Sequence, residues 1–171
     1  MRLSILLLAI LFFFSIKSVY AGELLVAGNS AYLKKTTVTH NDYRTTVLKN
    51  YLESKNSPLA LYTDELIFEA DRNGLDWRLI PAITGVESGF GKRIPPNSHN
   101  AYGWAGGKYK FDSWEQSISI VANTLRVKYI DKNALTVHQI GRIYAPPSQT
   151  WAYNVGYFIK QIDESPLNFS L

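Results

Sequence analysis

The segment from Trp77 to about Ser88 constrains the fold of this chain more than any other. Leu79, Ile80, Ala82, Ile83 and Val86 make a helix over this stretch apolar almost all round. A surface helix carries one apolar stripe, whereas a helix lacking a polar face has to be enclosed by other elements. Asp76 suits its N-cap. Pro81 falls in an early turn, where a missing N–H is tolerated better than mid-helix. The rest of the chain therefore has to build walls around a central helix.

The flanking sequence supplies amphipathic helices for that purpose. Asn41 or Asp42 caps a helix running to about Ser54, with Val47, Leu48, Tyr51 and Leu52 on one face. Pro58 to Asn73 gives a second, striped by Leu59, Tyr62, Leu66, Ile67 and Ala70 and ended by Gly74. After the central helix, Gly89 to Asn100 reads as a loop. Asn100–Trp104 and Lys108–Phe111 read as two short strands joined at Gly106-Gly107. Asp112-x-x-Glu115 has the pattern of a capping box opening a helix to about Tyr129. Thr136-x-x-Gln139 opens a short helix to Tyr144, and Pro146-Pro147 ends it. A last helix, capped by Ser148, buries Trp151, Val155, Phe158, Ile159 and Ile162. The expected class is mainly α, with an α+β touch: a helical domain with one small β-hairpin.

The first residues read differently. Met1 and Arg2 precede an apolar run from Leu3 to Ile16, and Val19 and Ala21 are small residues before Gly22. That order predicts a signal peptide over residues 1–21, cleaved after Ala21. The run falls short of the roughly 20 residues a spanning helix needs. An uncleaved inner-membrane anchor is the alternative, since Lys17 follows the run. Residues 22–40 read as an N-terminal arm and 41–171 as the domain. The expected location is periplasmic or secreted, with no stable membrane insertion after cleavage. Removing Arg2 and Lys17 lowers the net charge from +4 to +2. With no basic run longer than two residues, a dedicated nucleic-acid binder is excluded.

The chain has no Cys, so disulfides, thiolate metal sites and a cysteine nucleophile are excluded. His40, His99 and His138 are scattered and suggest no metal site. No phosphate-binding glycine loop is present, and no cofactor is expected.

One polar residue stands out. Glu87 lies at the C-terminal end of the central helix, in Gly85-Val86-Glu87-Ser88-Gly89-Phe90-Gly91-Lys92. Burial beside an apolar face disfavours a charged carboxyl, and the negative helix end acts in the same sense. A carboxyl that holds its proton suits general-acid work. An exposed glutamate at an ordinary helix end is the other reading of the same residues.

Leu79-Ile80-Pro81-Ala82-Ile83-Thr84-Gly85-Val86-Glu87-Ser88-Gly89-Phe90-Gly91-Lys92 resembles the catalytic-glutamate motif of the lysozyme-like superfamily. It is similar to the soluble lytic transglycosylases, and more so to the cell-wall endo-β-N-acetylglucosaminidase domain. Three later segments resemble that family in order: Asn100-Ala101-Tyr102-Gly103-Trp104, then Phe111 to Ile118, then Tyr144-Ala145 with Trp151 and Val155. The resemblance covers about Leu61 to Ile162. It implies a lysozyme-like domain whose hairpin lines a substrate groove, a peptidoglycan glycan strand as partner, and Glu87 as the acid. It further implies Tyr144 near the acid, with Ser88, Asn100, Tyr102 and Trp104 as candidates against the substrate. The alternatives are that Tyr144 and Trp104 pack in the core, Ser88 only ends the helix and Asn100 holds the hairpin loop. Tyrosine and tryptophan, 11 and 4 of the 171 residues, suit such a surface because each pairs a flat apolar face with a polar edge.

Asp112, Glu115 and Asp131 are possible second carboxylates, but the first two are explained more simply as helix caps. The family's commoner Asp after Tyr-Ala is replaced here by Pro146-Pro147. A single-glutamate site is therefore expected, either as a glucosaminidase or as a lytic transglycosylase. The competing class is an inactive module that keeps the groove and binds peptidoglycan without cutting it. Trp77, Trp114 and Trp151 fall on apolar stripes and are expected in the core.

Overall fold

The apolar segment is helical from Leu79 to Ser88, and eight of its ten residues are buried. The structure, a computed structural model, describes residues 42–165. They fall within the second of two units, Asp42–Leu171. The predicted signal peptide and arm lie outside the described residues. Among the described residues no helix is long and apolar enough to cross a membrane.

Among the described residues six α-helices follow in order: α1 (Tyr43–Ser54), α2 (Thr63–Arg72), α3 (Leu79–Ser88), α4 (Trp114–Lys128), α5 (Val137–Tyr144) and α6 (Trp151–Asp163). Short 3-10 turns cover Pro58–Tyr62 and Ile130–Lys132. Helix α3 packs on α6, α2 and α4, while α1 packs on α2 and α6 and α5 on α6. Ile80, Ala82 and Ile83 of α3 are at most 1% exposed. They meet the stripes of the surrounding helices, as a helix without a polar face requires.

Local chemistry sets the element ends. The Asp42 carboxylate accepts from the Arg44 backbone N–H at 2.9 Å and caps α1. The predicted second helix is split, with its first turn 3-10, a common variant at helix N-termini. Helix α4 starts one residue later than predicted. Ser113 caps it by accepting from the Gln116 N–H at 3.1 Å, and the Gln116 side chain accepts from the Asp112 N–H at 2.8 Å. The capping pair is therefore Ser113 and Gln116, not Asp112 and Glu115. Thr136 and Gln139 form the reciprocal box expected of them.

The expected β-hairpin is not formed, and no strand occurs among the described residues. Residues 100–111 run as successive turns. Gly103, Ala105, Gly106 and Gly107 all have φ between 52° and 85°, which coils the chain instead of extending it. The Asn100 side chain takes the hydrogen bonds a ladder would have used. Its amide nitrogen donates to Trp104 O at 2.9 Å and Tyr109 O at 3.1 Å, and its oxygen accepts from Trp104 N at 3.1 Å. A buried side-chain amide has replaced the partner strand. The mainly α class stands and the α+β element drops out.

Candidate active site

The end of α3 sets the site. Gly89 leaves the helix in the left-handed region, and Phe90 follows it there at φ 64°. An aromatic residue is strained in that conformation. Its ring is held edge-on to Tyr51 and Phe158, with centroids 5.7 and 5.0 Å away. The chain therefore turns away directly after Glu87 and Ser88. Glu87 is left at a cleft of about 450 Å³ that is also lined by Arg93, Asn100, Gly103 and Lys108. An adjoining cleft of about 330 Å³ is lined by Trp104, Tyr129 and Tyr144 and shares Gly103 and Gly106 with the first.

Glu87 is half-buried. Burial raises its carboxyl above the ordinary glutamate range, and a hydrogen bond from Trp151 offsets part of that shift. The Trp151 indole N–H donates to Glu87 Oε1 at 2.7 Å. The other oxygen faces Gly103, where a Cβ would lie 2.4 Å from Oε2. Gly103 also has φ 72°. Both the backbone shape and the close approach require glycine here.

The residues expected to touch a ligand divide into two groups. Ser88, Asn100 and Tyr102 border the clefts but are 2%, 2% and 0% exposed. Ser88 Oγ donates to Ala101 O at 2.9 Å and accepts from the Gly91 N–H at 2.9 Å, so it binds the helix end to two points of the connection that follows it. The Tyr102 hydroxyl sits 3.2 Å from Ser117 Oγ, and burial pushes its pKa up. These bonds tie the side chains into the wall of the groove, while each residue still borders a cleft. Trp104 is partly exposed in the second cleft, beside Tyr109 and Phe111. Tyr144 is brought close to Glu87, but its hydroxyl donates to Tyr102 O at 2.6 Å. Burial first, and the charge of Glu87 second, raise its pKa.

Glu87 is the only carboxylate lining the larger cleft. The other acids are engaged elsewhere: Asp112 with the Gln116 amide at 2.8 Å, and Asp131 with Arg126 at 2.8 Å. Glu115 is exposed in the first turn of α4. His99 lies 3.0 Å from Phe111 O and packs on Trp114. Among the described residues no group of three or more His, Asp or Glu converges.

Sequence reasoning missed four contributors. Trp151 was assigned to the core, where it is indeed 3% exposed. A buried indole N–H needs an acceptor, however, and that requirement was the available signal. Gly103 lay inside a motif already marked. Arg93 and Lys108 carried no local signal.

The Asn100 network gives a prediction. Asn100→Ala removes three hydrogen bonds from a buried site; the Trp104 N–H and Tyr109 O lose this partner, while Trp104 O keeps the Gly107 and Tyr109 N–H groups. The expected cost is about 1–3 kcal/mol, seen as a lower urea midpoint. An unchanged midpoint overturns the role of Asn100 as the latch of this loop.

Comparisons with family models, with curated proteins and with solved structures return no significant match to this chain.

Proposed function

We propose that this protein cuts the glycan strand of peptidoglycan, with Glu87 as the catalytic acid. The observation that carries the proposal is a lone carboxyl at the end of the most buried helix. Burial holds it above the ordinary glutamate range, and it opens onto the larger of two adjoining clefts. Such a group can protonate a glycosidic oxygen as the sugar ring gains oxocarbenium character.

The single carboxylate favours the lytic-transglycosylase form of the reaction. Glu87 gives its proton to the glycosidic oxygen and the bond from that oxygen to C1 breaks. The resulting carboxylate takes the proton of the sugar's own 6-hydroxyl, whose oxygen bonds to C1. The product is a 1,6-anhydro ring, and the enzyme returns protonated. No second protein carboxylate is needed. In a glucosaminidase, water takes the place of that hydroxyl. Trp104 and Tyr144, at the second cleft, supply aromatic surface for sugar rings. We place the enzyme in the periplasm or outside the cell, in line with the N-terminal segment.

The test is digestion of murein sacculi by purified protein, with mass analysis of the fragments. Anhydro ends are expected, and reducing N-acetylglucosamine ends identify a glucosaminidase instead. Binding to sacculi without fragments overturns the catalytic reading. Because an acid must be protonated to act, activity falls as pH rises through the Glu87 pKa. The basic limb of log kcat/KM is therefore expected above the range of an unperturbed glutamate.

A further inference from the structure

The Glu87 carboxyl is held asymmetrically. Oε1 accepts the Trp151 N–H at 2.7 Å, while Oε2 faces Gly103 at the junction of the two clefts. The indole is itself fixed on two sides. Tyr144 stacks on it with centroids 5.0 Å apart and planes 27° from parallel. Gly141 of α5 lies so close that an added Cβ would sit 2.9 Å from Trp151 Cε3. Tyr144 is anchored in turn by its 2.6 Å bond to Tyr102 O. The loop wall, α5, α6 and the end of α3 are thus joined through one stacked ring pair.

We infer that Trp151 is a positioning residue for Glu87, whose indole N–H occupies Oε1, fixes the carboxyl rotamer and leaves Oε2 to carry the proton toward the cleft. The inference deepens the reading of Glu87 as an acid and rests on it. A carboxylic acid has two oxygens, and the one bearing the proton is the poorer acceptor. A donor locked on Oε1 therefore directs protonation to Oε2. Trp151 is 3% exposed, so water does not compete for the bond. The donor favours the charged form and opposes the effect of burial. The titratable groups facing Glu87 are Tyr144 from α5, and Arg93 and Lys108 from the loops that line the cleft.

The chain has four tryptophans, so the full-length protein gives four indole N–H resonances. The Trp151 resonance is assigned by its absence in Trp151→Phe. It is expected to move with pH in step with the Glu87 carboxyl carbon, and to stay flat in Glu87→Gln. In Trp151→Phe the Glu87 midpoint is expected to move upward, and with it the basic limb of the pH–rate profile. kcat on glycan fragments is expected to fall about tenfold or more with KM little changed, the mark of lost orientation. If the Phe variant does not fold, benzothienylalanine at position 151 keeps the shape and removes only the N–H. The same upward midpoint is then expected. An indole resonance that ignores the Glu87 titration, or a midpoint unmoved in the folded variants, overturns the inference. Sacculi left intact by a wild-type protein that shows the coupled titration overturn the glycosidase reading and leave the pairing standing. Sacculi cut in a Glu87-dependent way, with no coupling, do the reverse.

Discussion

Glu87→Gln is expected to abolish the release of fragments from sacculi, and the folded variant to melt higher than wild type at pH above the Glu87 midpoint. The first effect, which follows from the proposed role of Glu87, is the largest expected from any single change. Losing a general acid costs roughly 10²–10⁴ in rate, and here no second carboxylate lines the cleft to take over. The amide oxygen of Gln can still accept from Trp151, so the site keeps its shape. The second effect follows from burial. The carboxyl is held above its ordinary range, so the folded chain binds this proton more tightly than the unfolded chain does. The stability it contributes is full below the unfolded glutamate range and is lost as pH rises through the folded value. Above the folded midpoint wild type carries a partly desolvated charge that the variant lacks. The gap in Tm should close as pH is lowered. A variant that digests sacculi at the wild-type rate removes Glu87 from the mechanism.

Gly103→Ala is expected to cost about 100-fold in kcat/KM through geometry alone. The new methyl carbon would stand 2.4 Å from Glu87 Oε2, a contact no real Cβ makes, so either the carboxyl or the loop must move. Displacement of a reacting group by an ångström costs on that order. The φ of 72° adds a backbone penalty of about 1–2 kcal/mol for any residue with a side chain. Gly106→Ala is the control. Its φ of 62° brings a similar penalty, but nothing lies within 4 Å of its added Cβ. Both variants should therefore lose stability, measured by urea titration, while only Gly103→Ala loses most of its activity. Equal activity losses would show that loop strain, not contact with Glu87, is the cause.

Part of this arrangement was legible in the sequence. Helix α3 was readable because a helix with apolar residues on every side has one possible environment. Glu87 at its end was readable for the same reason, since the context fixes the solvation of the carboxyl. The Thr136 box was readable because both partners lie within one turn. The loop from Asn100 to Phe111 was not. A Gly-Gly pair between aromatic residues suits both a hairpin and a coil of turns, and the Asn100 side chain decides between them. Asp112 and Ser113 are equivalent as caps on propensity alone, so the start of α4 slipped by one residue. For Ser88 and Tyr102 the motif states the neighbourhood of Glu87 but not the bonds to Ala101 O and Ser117 Oγ that tie them into the wall, because those partners lie 13 and 15 residues away. Trp151 was legible as core and illegible as a donor, since its acceptor lies 64 residues away.

The Asn100 latch also bears on how a polymer enters. A glycan strand threads a groove along its length, so the walls must admit a chain that has no nearby end. A strand ladder would hold such a wall through many cooperative bonds and open only with the sheet. Here the wall is tied to the helical body at several points: the Asn100 amide closes the loop on itself, Ser88 Oγ holds Ala101 O, and the Tyr144 hydroxyl holds Tyr102 O. Gly103 of that wall faces Glu87 Oε2, and Tyr144 stacks on Trp151. Lifting the wall to admit a strand would therefore disturb the ring pair that holds the acid, so on the proposed reading entry of the strand and alignment of the acid are mechanically coupled.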